Sequence, residues 1–378
     1  MNIIMVSNRL TPHQIPLANA LNIVADFKFY ETMRRPNSLP VGWSADASDY
    51  QYAVTDTTIY QHTKKHISLI EQADVVIYGS APFELIKPRL RKGKLTFRYS
   101  ERIYKQPCPK YELPLRALKY YWQNDRFKNH YLLCASAFTA GDYAKTGNFI
   151  GRAFKWGYFP EVKRYGDIDA LIAKKKPASI LWAGRLIGLK HPEASILVAE
   201  KLRQAGYNFE LNIIGNGEME QQLRDLIQSK GLGQQVHMLG SMPPEQVREY
   251  MEESEIFLFT SDRNEGWGAV LNESMNSGCA VVASHEIGSV PFLIRHNENG
   301  LVYECGNTNE LFQKVTSMLD SKEVRARMGK MAYETMVNQW NAENAAQRLL
   351  RLAQAVLDGG NPNDLFADGV CSPAKTIK

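Results

Sequence analysis

Short hydrophobic runs alternate with amphipathic stretches at helical spacing along most of the chain. In the second half, residues 179–184, 209–214, 236–239, 256–260 and 280–284 read as strands. Between them, residues 192–204, 218–229, 245–252 and 269–276 read as helices, and Met219, Leu223, Leu226 and Ile227 fall on one helical face. Gly206, Gly231 and Gly233 punctuate the helix ends. The first half follows the scheme less regularly, with strands at 2–7, 26–30, 74–79, 95–99 and 131–135 and helices at 61–72 and 82–92. Residues 31–57 carry no assignable pattern. Strand and helix in alternation build parallel sheets covered by helices on both faces, so the predicted class is α/β with two doubly wound sheets.

A chain of 378 residues suits two domains. The pattern divides them as 1–155 and 156–340, with a linker across 148–176 marked by Gly157, Pro160, Lys174, Lys175, Lys176 and Pro177. Residues 341–358 read as a helix expected to pack at the domain junction. Residues 359–378, rich in Gly, Asn, Pro and Asp, read as a mobile tail.

Composition mainly removes alternatives. With 44% apolar and 22% charged residues, the chain is neither disordered nor fibrous. No run approaches the roughly 20 apolar residues of a membrane span, and the apolar start 3–7 stops at Asn8 and Arg9, too short for a secretory signal; a cytoplasmic protein is expected. Five scattered cysteines without a Cys-x-x-Cys argue against a disulfide framework and structural zinc. The net charge of +5 comes from 45 basic and 40 acidic residues, with no basic block of the kind duplex DNA binders carry, so nucleic acid is not an expected partner.

The chemistry concentrates at strand ends of the second half. In DRNEGWGAVLNESMNSG (262–278), Glu265 lies in a strand-to-helix loop, Gly266 and Gly268 open the turn, and Glu273 falls one turn into the helix. A helix start flanked by glycines suits a phosphate, and ionised carboxylates are pure acceptors that suit sugar or ribose hydroxyls. Acids near a helix start also act as plain caps, and both readings stand. Upstream, Gly184 and Arg185 end a strand and Lys190 follows five residues on; the pair can neutralise a diphosphate, or simply be a solvated basic loop. Gly215 and Gly217 form a Gly-x-Gly at a third strand end, a weak signal because tight turns often need glycine.

Taken together and in order, AGRL with a following Lys, IIGNGE, EGWGAVLNES, SGCAVVAS and GSVP resemble the donor-binding domain of family 4 glycosyltransferases, whose fold is GT-B: two Rossmann-like domains facing across a cleft. The likeness covers 178 to about 340. It implies a retaining transfer of a hexose-type sugar from a nucleoside diphosphate sugar, with no metal and no cofactor beyond the donor itself. Residue by residue, it implies that Arg185 and Lys190 hold the diphosphate, that Glu265 contacts the transferred sugar, and that Glu273 binds the ribose. Gly184, Gly215, Gly266, Gly268, Ala269 and Val270 would approach the donor through their backbone, and the loop carrying Met242 would hold the base. The sequence departs from the family in lacking a glycine pair after the first strand and in having Phe292 where Glu is frequent.

For an acceptor, the first half offers His13 in the loop after the first strand, and Arg98 and Glu101 at the end of another. The resemblance implies a glycan as the acceptor, with cell-surface polysaccharide synthesis as the setting; contact of the stretch 115–131 with lipid would make it a polyprenyl-diphosphate-linked glycan. The stretch 115–131 mixes Arg116, Lys119, Arg126 and Lys128 with Tyr120, Tyr121, Trp122 and Phe127. That composition fits peripheral contact with the inner face of a membrane, or core packing by its aromatics. A nucleotide-sugar epimerase and a noncatalytic nucleotide-sugar-binding protein are the competing readings.

Overall fold

The computed structural model describes residues 1–33, 49–54, 64–106 and 108–377. Most of the 31–57 stretch and residues 61–63, the start of the helix expected at 61–72, lie outside them. The chain forms two units, one made of 1–161 and 340–378, the other of 162–339.

In the first unit, strands β1 (Asn2–Ser7), β2 (Asp26–Glu31), β3 (Ala53–Val54), β4 (Val75–Tyr78), β5 (Thr96–Ser100), β6 (His130–Cys134) and β7 (Ala153–Lys155) form one sheet in the order β3-β2-β1-β4-β5-β6-β7. Every pairing is parallel. The second unit holds β8 (Lys176–Ala183), β9 (Glu210–Ile214), β10 (Val236–Gly240), β11 (Ser254–Phe259), β12 (Ala280–Ser284) and β13 (Leu301–Tyr303), ordered β10-β9-β8-β11-β12-β13 and again all parallel. Central strands such as β4 and β11 are buried along their whole length, as expected of strands covered on both faces. In each sheet the strand order reverses once, between β1 and β4 and between β8 and β11. Loops leaving the carboxyl ends on either side of such a reversal diverge and open a crevice.

Buried charges tie the helices to the sheets. Arg89 is fully buried, and its guanidinium donates to the carbonyls of Ile70, Glu71, Asp74 and Leu95 at 2.6–3.2 Å and to Thr96 Oγ1. It thereby satisfies carbonyls left open at the end of the helix Lys64–Gln72. Lys175 does the same in the second unit, donating to the carbonyls of Met251, Glu252 and Ser277 at 2.8–3.0 Å.

The stretch 148–176 is more structured than a linker: it contains β7 and the helix Ile168–Ala173. Its lysine run is split by the fold, since Lys175 is buried while Lys176 opens β8. The helix Ala342–Leu357 belongs to the first unit, where it packs on the helix Ile15–Val24. The segment 359–377 also belongs there. Val370 and Cys371 are buried, Lys155 and Cys371 or Ser372 exchange backbone hydrogen bonds of 2.8 Å, and Arg348 donates to the carbonyls of Asp368 and Val370. Its Gly- and Asn-rich composition serves turns rather than disorder, because β7 leaves an open sheet edge for it to pair with.

Ending the chain after Leu357 removes the buried Phe366 and Val370, and should cost about 3–6 kcal/mol of stability. Urea unfolding of the shortened chain tests this, and an unchanged midpoint would show that the segment contributes nothing.

Candidate functional site

Three loops mesh at the carboxyl edge of β8, β9 and β10. Leu186 N donates to Asn216 O at 2.8 Å, Met219 N to Leu186 O at 3.0 Å, and Gly215 N to Gly240 O at 2.8 Å. This mesh explains the Gly-x-Gly. Gly215 (φ +142°) and Gly217 (φ +158°) come so close to their neighbours that a Cβ would lie 1.8 Å from Gly184 O and 2.3 Å from Leu186 O. The glycines are thus required by loop–loop contact whether or not a phosphate approaches. Gly184 and the partly buried Met242 sit on the same meshed loops.

On the other side of the strand-order reversal, the loop after β11 is anchored by Trp267. Its ring is buried, its Nε1 donates to Asn272 Oδ1 at 2.9 Å, and its carbonyl accepts from Ser289 Oγ at 2.6 Å. Phe292 packs its ring 6.4 Å from that indole, which gives it a structural place. Gly266 is buried, and Gly268 (φ +80°) lies where a Cβ would meet Phe259 Cζ at 2.2 Å. The helix Val270–Asn276 follows at once, and the backbone N–H groups of Gly268, Ala269 and Val270 donate to no backbone carbonyl among the described residues.

The two loops are laced together across the reversal. Thr260 Oγ1 accepts from Trp182 Nε1 at 2.8 Å and donates to Lys190 O at 2.7 Å, while Asp262 N donates to Leu189 O at 3.0 Å. This places the Lys190 ammonium on the Glu265 carboxylate as a largely buried ion pair, to which Ser261 Oγ adds a 3.2 Å hydrogen bond. Arg185, by contrast, is exposed, and its guanidinium has no acidic partner among the described residues. Glu273 lies one turn into the helix, where burial raises the pKa of its carboxyl and the charge of Arg248 opposes that rise. Its carboxylate accepts no hydrogen bond among the described residues; Arg248 instead reaches Glu273 O at 3.1 Å and Asn276 Oδ1 at 2.9 Å. The structure therefore gathers Arg185, Lys190, Glu265 and Glu273 on the loops and helix after β8 and β11, with one cation and one carboxylate paired and one of each open.

His191 escaped the sequence reading. It takes the left-handed conformation (φ +46°), and its two ring nitrogens lie 2.8 Å from Glu193 Oε1 and 3.3 Å from Asp262 Oδ2, bridging the two loops directly beside Lys190. The signal that could have found it is its place between Lys190 and the helix-opening Pro192, where the chain must turn sharply.

The first unit has its own crevice at its own reversal. A cavity of about 750 Å³ is lined by Ser7, His13, Thr32, Arg98, Tyr99, Glu101 and Tyr158, among others, so the three first-half candidates share one site. His13 stacks on Tyr158 with centroids 6.0 Å apart, and burial lowers the pKa of the imidazole, favouring its neutral form. Tyr158 donates its hydroxyl to Glu101 Oε1. Arg98 donates to Asn124 Oδ1 at 2.9 Å and lies 5.4 Å from the Tyr143 ring centroid, so it is held on one side by the core. Tyr158 lay in the stretch read as linker and was missed.

Comparison with known proteins follows this division. Residues 167–335 match the family model described as Glycosyl transferases group 1. The amylovoran biosynthesis glycosyltransferase AmsK of Erwinia amylovora is 35% identical over 162 residues, 42% of this chain and 39% of that one. The putative colanic acid biosynthesis glycosyltransferase WcaL of Escherichia coli is 28% identical over 191 residues, 49% and 47% of the two chains. The chain thus spans less than half the length of these curated relatives. The structure of Anabaena HepE in complex with UDP superposes with a TM-score of 0.69 at 14% identity, over 94% of this chain and all of that one. The fold is accordingly GT-B, with two Rossmann-like units.

The His191 bridge predicts a pH dependence. Its pKa is raised, chiefly by the hydrogen bond to Glu193 and further by Asp262. Its stabilisation is fully present below about pH 6.5 and is lost as pH rises through the higher folded value. The melting midpoint of a His191→Gln variant should therefore fall less than that of the natural chain between mildly acidic and mildly alkaline pH; parallel curves would show that the bridge carries no charge.

Proposed function

We propose that the chain is a retaining glycosyltransferase that moves a hexose-type sugar from a nucleoside diphosphate sugar to a hydroxyl of a glycan or a polyprenyl-diphosphate-linked glycan, in cell-surface polysaccharide synthesis. One observation carries the reading. The segment that matches the glycosyl transferase model brings Arg185, which has no acidic partner among the described residues, the Lys190–Glu265 pair and the Glu273 carboxyl to one strand-order reversal, where sheets of this kind bind ligands. The motif order that resembles family 4 supports the finer assignment.

In this reading Glu273 accepts from the ribose hydroxyls, and Arg185 grips the diphosphate. The incoming diphosphate competes with Glu265 for Lys190, and the released carboxylate then accepts from hydroxyls of the donor sugar. The acceptor oxygen forms a bond to the anomeric carbon on the face the diphosphate leaves. The bond from that carbon to the diphosphate oxygen breaks, and the acceptor proton passes to the diphosphate. Arg185, Lys190 and the backbone N–H groups of Gly268, Ala269 and Val270 stabilise the charge that develops, so these residues need no metal ion to do so. The first-unit cavity takes the acceptor: Glu101 and Tyr158 offer hydrogen bonds to hydroxyls, Tyr99 an apolar ring face, and a neutral His13 an acceptor or donor nitrogen. In this reading the enzyme works in the cytoplasm, on a donor drawn from the cytoplasmic pool.

Calorimetry with UDP, GDP and ADP, without added metal, tests the donor site. One nucleotide should bind, Glu273→Ala should weaken it about tenfold or more by removing a carboxylate–hydroxyl contact, and Arg185→Ala should do likewise. Loss of none of the affinity in either variant would remove the site. Turnover of a nucleotide sugar without any acceptor would favour an epimerase, and binding without turnover a noncatalytic protein.

A further inference from the structure

In the first unit, the helix Leu113–Tyr120 contains no buried residue, although four of its eight positions are Leu or Ala. It is preceded by a turn at Lys110–Glu112 and followed by a π-helical turn, Tyr121–Asp125. The apolar side chains that ordinarily face a core instead face outward. Tyr111 is 80% exposed, Leu115 75%, Leu118 59% and Trp122 54%. Their spacing of four, three and four residues is that of one stripe running from the preceding turn along the helix into the π-helical turn. Phe127 closes onto the core and fixes the far end of the stretch, so of the two readings open at the sequence level, core packing holds for this residue and not for the stripe.

The charge around the stripe is one-sided. Between 105 and 128 the chain has six basic residues and two acidic ones. Both acids are neutralised, Glu112 by Arg116 at 2.7 Å and Asp125 by Arg152. Lys110, Lys119 and Lys128 are exposed, and no acidic partner meets them among the described residues. The Arg126 guanidinium lies over the Trp122 ring, 4.7 Å from its centroid, and adds positive charge beside an indole that stays half exposed.

We propose that this face, Tyr111, Leu115, Leu118 and Trp122 with Lys110, Lys119 and Lys128, seats on an anionic lipid surface. The chemistry on each side matches. Leucines enter the acyl boundary, Trp and Tyr rings rest at headgroup level, and lysine ammonium groups meet lipid phosphates. A protein partner would need an acidic rim to answer the same lysines; a bilayer containing anionic lipid supplies both layers at once. The contact stands independently of sugar transfer, although it would hold the first unit where a lipid-linked acceptor resides.

Sedimentation of the full-length chain with vesicles, without nucleotide, tests the proposal. Binding is expected to vesicles of mixed phosphatidylcholine and phosphatidylglycerol, and to fall about tenfold or more with phosphatidylcholine alone, at high salt, or in a Leu115→Glu/Leu118→Glu variant. The substituted positions are exposed, so an unchanged melting midpoint verifies the fold, and a Lys119→Glu/Lys128→Glu variant removes the charge while leaving the apolar stripe. No binding to anionic vesicles, or binding that none of these changes weakens, overturns the proposal. A concentration-dependent dimer split by Leu115→Glu/Leu118→Glu, with no vesicle binding, would give the face to a second copy of the chain.

Discussion

A parallel sheet buried on both faces leaves no room for polar chemistry along its strands. In both units the strands are filled with Val, Ile, Leu and Phe, and helices cover them. Polar side chains able to act on a ligand are therefore driven to the strand ends, and at the carboxyl ends the loops spread apart only where the strand order reverses. The constraint applies twice in this molecule. It gathers Arg185, Lys190 and Glu265 in the second unit, and Ser7, His13, Arg98 and Glu101 around the cavity of the first. Buried cations keep the arrangement rigid: Arg89 and Lys175 each satisfy several carbonyls that would otherwise be stranded at helix ends.

Around the second-unit reversal, charge balance is as informative as residue identity. Lys190 and Glu265 neutralise one another in a site with little solvent, where an unpaired charge would be costly. An anionic ligand that engages Lys190 must compensate the carboxylate it releases, and a polyhydroxylated group beside the phosphates does that with its own donors. This is why an ion pair within a candidate site is compatible with ligand binding rather than an obstacle to it. Arg185, exposed and without an acidic partner among the described residues, needs no such exchange. His191 adds a cross-link whose charge depends on pH, in a backbone conformation few non-glycine residues adopt.

The outward-facing stripe from Tyr111 to Trp122 is the main exception to the burial rule in the first unit. Hydrophobic side chains exposed singly need no explanation, but four at helical spacing in a segment that also exposes Lys110, Lys119 and Lys128 do. The same unit holds the cavity whose rim includes Glu101 and Arg102, a few residues upstream of that helix. The cavity rim and the exposed stripe thus come from neighbouring parts of one segment.

The alternation of hydrophobic runs and amphipathic stretches was enough to determine two parallel α/β units. Helix 192–204 and strand 280–284 agree with the structure to the residue. Those boundaries were legible because they depend on local signals, a helix-opening proline, a glycine, a β-branched run. The placement of Arg185, Lys190 and Glu265 just past strand ends was legible for a related reason: each is fixed by its distance in sequence from a strand. Contacts between distant segments were not. That Lys190 meets Glu265, that His191 joins two loops, that Tyr158 enters the first-unit cavity, and that Lys175 is buried while Lys176 is not all depend on pairing between segments whose separation no local pattern encodes. Residues 359–377 show it most plainly. Their composition is that of a loose tail, yet the unpaired edge of β7 supplies hydrogen bonds and an apolar floor, and only the tertiary structure puts the two together.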